Sequence, residues 1–267
     1  FALHGPPGTG KTAVTAYAVE AALQENRSLR ILIAAQSHYA LDNLAERIVK
    51  RLREKNMTET PLVRVASSEA RERVNPSVRS LFLENQAEEM VKRIELQLDK
   101  QQKNGTHQPA LAQALGRWRS KVRSDRLELM DRLRRGANIV FVTCGAATPQ
   151  QVDAVGSFGV FDWVIVEEAA KAWPTELAMP LVRGARWTLI GDHRQLPAYR
   201  RREVEEMLRE CATSNDEPLR QHAERREDYV KVFDLFAQIF VGREQPASSQ
   251  TPRLLRDPRG ELRLQFR

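Results

Sequence analysis

The feature that most constrains this chain is the octapeptide Gly5-Pro6-Pro7-Gly8-Thr9-Gly10-Lys11-Thr12, set between Phe1-Ala2-Leu3 and a helix-forming run from Lys11 to about Gln24. It fits G-x-x-x-x-G-K-[ST] and has the context that pattern requires, a strand before it and a helix after it. The glycines let backbone N–H groups close around phosphate oxygens, and the helix N-terminus adds a dipole that favours negative charge. All eight positions are therefore candidate ATP-binding residues. Lys11 would bind the β- and γ-phosphates, and the Thr12 hydroxyl would hold Mg²⁺.

The remaining sequence alternates strand and helix signals. Arg30–Ala35, Leu62–Val65, Asn138–Thr143, Trp163–Val166 and Trp187–Ile190 are short apolar runs rich in β-branched residues. Ala40–Arg53 between them is amphipathic, with Leu41, Leu44, Ile48 and Leu52 on one face. Strands of this kind predict a parallel sheet buried on both faces, hence an α/β fold with helices on either side. With 267 residues, 42% hydrophobic and 29% charged, the chain has a globular composition. No apolar run approaches the roughly 18–20 residues of a membrane span. Cys144 and Cys211 alone exclude a disulfide framework and a four-cysteine zinc site, and His4, His38, His107, His193 and His222 have no metal-ligand spacing. Forty-two basic residues against 35 acidic ones leave a net charge of +7, a moderate bias toward a polyanionic partner.

A long polar stretch, about Ser67 to Arg135, interrupts the strand pattern. Ala87, Val91, Ile94 and Leu98, and then Leu111, Leu115, Trp118, Val122, Leu129 and Leu133, recur at helical spacing on either side of Asn104-Gly105 and Pro109. The expectation is an antiparallel helical hairpin whose apolar stripes form its seam. The division expected is a core domain of residues 1–66 and 136–267 with an inserted subdomain at 67–135. The second half of the insert carries Arg117, Arg119, Lys121, Arg123, Arg126, Arg132, Arg134 and Arg135 against only Asp125, Glu128 and Asp131. That face is either solvated or in contact with nucleic acid, with Arg117, Arg119, Lys121 and Arg123 the candidate contacts. Tyr229–Phe240 reads as a helix packed in the core, and Gln245–Gln250 as a surface loop or linker.

A phosphate loop needs a downstream acid for the metal and a base for the attacking water. Phe161-Asp-Trp-Val-Ile-Val-Glu-Glu168 supplies both at a strand end: Glu167 for the Mg²⁺ shell and Glu168 to polarise water. After the next strand, Gly191-Asp-His-Arg-Gln195 lies where open α/β sheets place their ligands, and Gln195 could hydrogen-bond the γ-phosphate.

GPPGTGKT, ILIAAQSHYALDNL, NIVFVTC, FDWVIVEEAA, TLIGDHRQL and Leu264-Gln-Phe-Arg267 occur in that order and resemble motifs I, Ia, Ic, II, III and the start of IV of superfamily 1 helicases. The branch most similar is 1B, that of the nonsense-mediated-decay helicase. The resemblance covers nearly all of the chain outside the insert. It implies a P-loop NTPase domain of RecA type, the first of two, with ATP and Mg²⁺ between them and a second RecA-like domain C-terminal to this chain. It also implies an intracellular protein, cytoplasmic or nuclear, that acts on single-stranded DNA or RNA. Residue by residue, it makes Glu168 the catalytic base, Gln195 the γ-phosphate sensor and Arg267 an arginine that contacts the γ-phosphate. Ser37, His38, Asn43 and Thr143 fall on strand-lining positions. Both ends read as cut, since Phe1-Ala2-Leu3 is barely half a strand and Arg267 follows directly on an apolar-alternating stretch.

Three positions depart from the family pattern. Glu167-Glu168 replaces the usual Asp-Glu, Gln36-Ser37-His38 replaces Pro-Ser-Asn, and Lys171 stands where Gln commonly follows motif II. The longer Glu167 keeps a second reading open: a nucleic-acid-binding regulatory module that uses ATP as a conformational ligand and hardly turns it over.

Overall fold

Apolar strands of this kind are stable only between two layers, and the described residues form one sheet of seven parallel strands with the apolar ones at its centre. A computed structural model describes residues 1–103, 109–152, 161–192, 194–195, 201–224, 236 and 259–261. The strands are β1 (Ala2–His4), β2 (Ile31–Ala35), β3 (Leu62–Arg64), β4 (Ile139–Thr143), β5 (Phe161–Glu167), β6 (Gly184–Gly191) and β7 (Arg259–Glu261), in the spatial order β3-β4-β2-β5-β6-β1-β7. Six of them are those expected from the apolar runs. The short β7 has no strand signal of its own and pairs with β1 at Ala2↔Arg259.

The two-layer burial is visible in the alternation along each strand. Ile31, Ile33, Ile139, Phe141 and Ile165 face a cluster with Val19 and Leu23 of helix α1 (Lys11–Glu25) and Leu41, Leu44 and Ile48 of α2 (His38–Glu54). Leu32, Ala34, Val140, Val142, Val164 and Val166 face the opposite cluster. That second layer includes Leu133 of α5 (Arg126–Gly136), Leu177 of the helix Pro174–Leu181 and Phe236. Phe236 is the one described residue of the run Tyr229–Phe240, and it is buried. The linker Gln245–Gln250 lies outside the described residues. No helix among the described residues is long and apolar enough to cross a membrane.

Burial on both faces is lost where β5 and β6 begin, and Asp162 of β5 is exposed there. Ala185, Arg186 and Trp187, in the first half of β6, are exposed. Their neighbour β1 meets β6 only from Ala2↔Leu189 onward, so this half of the strand is flanked by β5 alone among the described strands.

The insert differs from a two-helix hairpin. It opens with 3₁₀ turns, Arg71–Arg73 and Pro76–Leu81, and buries Val74, Val78 and Phe82 in the first core cluster. Helix α3 (Leu83–Lys103) then runs out, and the return arm is broken in two, α4 (Pro109–Ser124) and α5, at Asp125. Ser124 and Asp125 prefer local hydrogen bonds to helix continuation, and the Ser124 hydroxyl donates to Lys121 O at 3.1 Å. Trp118, expected in the seam, is 55% exposed instead.

Candidate functional site

Because every described strand is parallel to its neighbours, the segments that follow β1, β2, β4, β5 and β6 emerge along one edge of the sheet. Register fixes their order. Ala35 of β2 pairs with Thr143 of β4 on one side and with Glu167 of β5 on the other. His4 of β1 pairs with Gly191 of β6.

The phosphate loop follows His4. Gly8 and Gly10 take φ of 77° and 83°, the left-handed region that glycine enters without strain. Thr9 is buried and its hydroxyl donates to Pro6 O at 2.7 Å, which closes the loop on itself. Helix α1 begins with neither a side-chain cap nor an acid in its first turn. Its positive end is therefore uncompensated by its own residues and suits a phosphate. Lys11 Nζ donates to Gly5 O and, at 3.0 Å, to Pro6 O. Burial pulls its ammonium below the ordinary lysine range, while Glu167, Asp192 and Glu168 oppose that shift.

The Thr12 hydroxyl donates to Glu167 Oε1 at 2.9 Å, so the two expected Mg²⁺-side residues, 155 positions apart, meet directly. Glu167 is 5% exposed and its Oε2 is buried without a partner in the structure. Burial pushes its carboxyl up to about 7, against the pull of Thr12 and Lys11. An unpartnered buried carboxylate oxygen beside a threonine hydroxyl fits a hard cation with oxygen ligands. Among the described residues no group of three or more His, Cys, Asp or Glu could hold a metal by itself. A cation here would share phosphate oxygens, as Mg²⁺ characteristically does.

Glu168 follows in the left-handed region, at φ 54° and ψ 36°, a strained conformation for a non-glycine residue. It turns the chain sharply after β5, and its Oε1 accepts from Lys171 Nζ at 2.9 Å. Gln195 donates through Nε2 to Asp192 Oδ2 at 2.9 Å. The other oxygen of Asp192 accepts from the Arg194 N–H at 3.0 Å and lies 3.1 Å from His4 Nε2. Burial alone would raise the Asp192 carboxyl, but Gln195, Arg194 and His4 outweigh it and hold it below its ordinary value. Asp192 thus ties the expected γ-phosphate sensor to the strand that carries the phosphate loop. Sequence reading missed this role, and only the placement of Asp192 at the end of β6 hinted at it. Arg267 lies outside the described residues.

The expected strand-lining residues sit on the same edge, beyond Glu167. Ser37 caps α2, its Oγ accepting the Ala40 N–H at 3.2 Å. Asn43 is half-buried and accepts from Arg47 Nε at 3.3 Å. Thr143 ends β4, half-buried. His38 Nδ1 lies 2.8 Å from Nη2 of Arg64, a fully buried arginine that also binds Asp42 Oδ1 at 2.9 Å and Val65 O at 2.6 Å. Asp42 Oδ2 accepts the Asn75 N–H at 2.9 Å. Arg64 was hidden inside the run Leu62–Val65, although a lone charge within a buried strand, and an acid on the apolar face of α2, were both legible signals. Tyr39, next to His38, is 82% exposed.

The structure narrows the basic face of the insert. Arg132 pairs with Glu128 at 2.5 Å, Asp131 holds both Arg134 and Arg135, and Arg126 donates to Glu84 O at 3.3 Å. Half of the eight cations are thereby engaged within the fold. Arg117 and Lys121 on α4 are exposed, and Arg119 and Arg123 lie on the same helix.

A parallel sheet with this loop after β1, a buried acid at the end of β5 and a polar turn after β6 defines a P-loop nucleoside triphosphatase domain of RecA type. The family model described as an AAA domain matches residues 1–108 and 92–200. The ATP-dependent helicase upf1 of Schizosaccharomyces pombe is 32% identical over 200 residues, 73% of this chain and 20% of the relative. The ATP-dependent helicase NAM7 of Saccharomyces cerevisiae is 32% identical over 195 residues, covering 73% of this chain and 18% of that protein. DNA-binding protein SMUBP-2 of Mus musculus is 28% identical over 218 residues, 73% and 20% respectively. This chain belongs to that AAA-domain family, within the 1B branch of superfamily 1 helicases. It spans about a fifth of the length of the curated relatives it matches.

Proposed function

We propose that this chain is the first motor domain of a helicase that hydrolyses ATP to move on single-stranded DNA or RNA. The observation that carries the reading is the meeting of Thr12 with Glu167, whose second oxygen is buried and unpartnered, at the mouth of the phosphate loop. Lys11 and the amides at the start of α1 bind the triphosphate, Thr12 and Glu167 hold Mg²⁺, and Glu168 accepts a proton from the attacking water. Bound Mg²⁺ would neutralise charge on the β- and γ-phosphates. Gln195, set by Asp192, orients toward the γ-phosphate, and Arg267 contacts it. The segments after β2 and β4 line the strand, with Ser37, His38, Asn43 and Thr143 facing its backbone and Tyr39 available to a base. Arg117, Arg119, Lys121 and Arg123 extend that track onto the insert. In this reading residues 1–66 and 136–267 form the RecA-like domain, 67–135 an inserted subdomain, and a second RecA-like domain C-terminal to this chain closes the ATP cleft.

One observation favours the regulatory alternative. Lys171 pairs with Glu168 at 2.9 Å, and a carboxylate oxygen engaged by an ammonium must leave that contact before it can accept a proton from water. Steady-state phosphate release by the two-domain protein, with and without a single-stranded oligonucleotide, separates the readings. The motor reading expects turnover stimulated by the strand. Strand binding with no phosphate release under either condition would overturn it in favour of the regulatory module.

A further inference from the structure

His38 is the strand-facing residue whose chemistry its surroundings fix most tightly. A guanidinium nitrogen carries only hydrogens and cannot accept a hydrogen bond. At 2.8 Å from Arg64 Nη2, His38 Nδ1 must therefore present its lone pair. The ring proton then resides on Nε2, and a second proton on Nδ1 would set N–H against N–H between two cations. Arg64 cannot turn away, because its side chain is fully buried and anchored by Asp42 and by Val65 O. The charged groups that face His38 are Arg64 from β3, Asp42 from its own helix and Arg73 from the first 3₁₀ turn. Burial, then Arg64 and Arg73, disfavour a charged ring and outweigh Asp42, so the imidazole titrates below its ordinary value.

We propose that Arg64 makes His38 a neutral, donor-only contact, whose Nε2–H binds a backbone phosphate oxygen of the single strand and adds no cationic charge to the interface. This rests on reading the edge beyond Glu167 as the strand-binding face. Arg64 is then a positioning residue. A histidine, ordinarily able to switch charge near neutral pH, is converted into a fixed N–H group. With Nδ1 occupied, His38 offers a donor alone.

The test uses the whole chain and a fluorescent single-stranded oligonucleotide. His38→Ala should weaken binding on the order of tenfold, as expected for one hydrogen bond to a charged acceptor. The ratio of wild-type to variant affinity should not change between pH 8 and pH 5.5. The slope of log affinity against log salt should match in the two proteins, because a neutral donor releases no counterion; a cationic histidine would steepen the wild-type slope by about 0.7. An abasic strand should show the same loss, as the acceptor is a phosphate. A ratio that grows as pH falls, a steeper wild-type slope, or a loss that vanishes on the abasic strand overturns the proposal.

Imidazole nitrogen shifts of the wild-type protein provide an independent readout, with His38 identified by its absence from the variant. They should show Nδ1 bare and Nε2 protonated throughout this pH range, and an Nδ1–H or doubly protonated ring overturns the lock. If no oligonucleotide binds at all, the strand-face reading fails and the contact with it, while the nitrogen spectrum still reports whether Arg64 fixes the tautomer.

Discussion

Glu167→Gln should make the Mg²⁺-free protein more stable at pH 8. The wild-type carboxyl is buried, one oxygen satisfied by Thr12 and the other by nothing in the structure, and its pKa is pushed from 4.5 up to about 7. The raised folded-state value means that the native fold prefers the protonated acid. The associated stability is present in full below about pH 4.5 and is lost as pH rises through about 7. At about 1.4 kcal/mol per pH unit over that interval, ionised Glu167 costs about 3 kcal/mol at pH 8. Glutamine retains the size and the acceptor for Thr12 but carries no charge. For a domain of this size, about 2–4 °C per kcal/mol translates the gain into a Tm higher by on the order of 5–10 °C. Thermal unfolding in a chelator at pH 8 and pH 4.5 reads it directly, with the gap open at pH 8 and closed at pH 4.5. Mg²⁺ added together with ATP should raise the wild-type Tm more than that of the variant, since the cation would be shared with phosphate oxygens. Equal Tm values at pH 8, or an equal gap at both pH values, would refute the reasoning.

Lys11→Ala removes the phosphate-loop cation and should raise the Kd for a fluorescent ATP analogue at least tenfold, by titration, without lowering Tm. Glu168→Gln should abolish phosphate release while leaving nucleotide Kd unchanged, because the metal-side pair Thr12 and Glu167 is intact. Arg64→Ala leaves the Asp42 carboxylate buried without its cation, held only by the Asn75 N–H, and should cost about 3–5 kcal/mol in denaturant unfolding. Reversing Arg117, Arg119, Lys121 and Arg123 to Glu should weaken oligonucleotide binding and flatten its salt dependence, whereas reversing Arg132 and Arg135, already paired with Glu128 and Asp131, should do so far less.

The parts of the site that were legible in sequence are those written locally. A loop whose glycines sit at fixed spacing, and strands apolar at every position, need no partner to be recognised, and both stand where they were expected. Glu167 and Glu168 were expected at a strand end, and β5 does end at Glu167 with Glu168 next. What stayed hidden depends on contacts distant in sequence. Asp192 acquires its role only from His4, 188 positions away, and from Gln195 beside it. Arg64 looked like a blemish in an apolar run until Asp42 and His38 closed around it. In the insert, helical spacing on both sides of Asp125 hid a break whose cause is local hydrogen bonding, and Trp118 was assigned to a seam it does not enter. Periodicity reports which faces are apolar, but not whether the helix persists long enough to bring them together.

The place of β1 has a consequence for how the protein is made. Of the described strands it is made first, yet its partners β6 and β7 are the last described strands to be synthesised. At about 5–20 residues per second, roughly 10–40 s separate the emergence of His4 from that of Asp192. Through that interval the central strands β2, β4 and β5 can pair in turn, while Ala2–His4 and the glycine loop behind it wait without a ladder to join. A chain halted before Gly184 would contain every residue of the phosphate loop and still have no strand on which to mount it. The ability to hold nucleotide therefore arrives late and all at once, and marks a nascent chain that has reached β6.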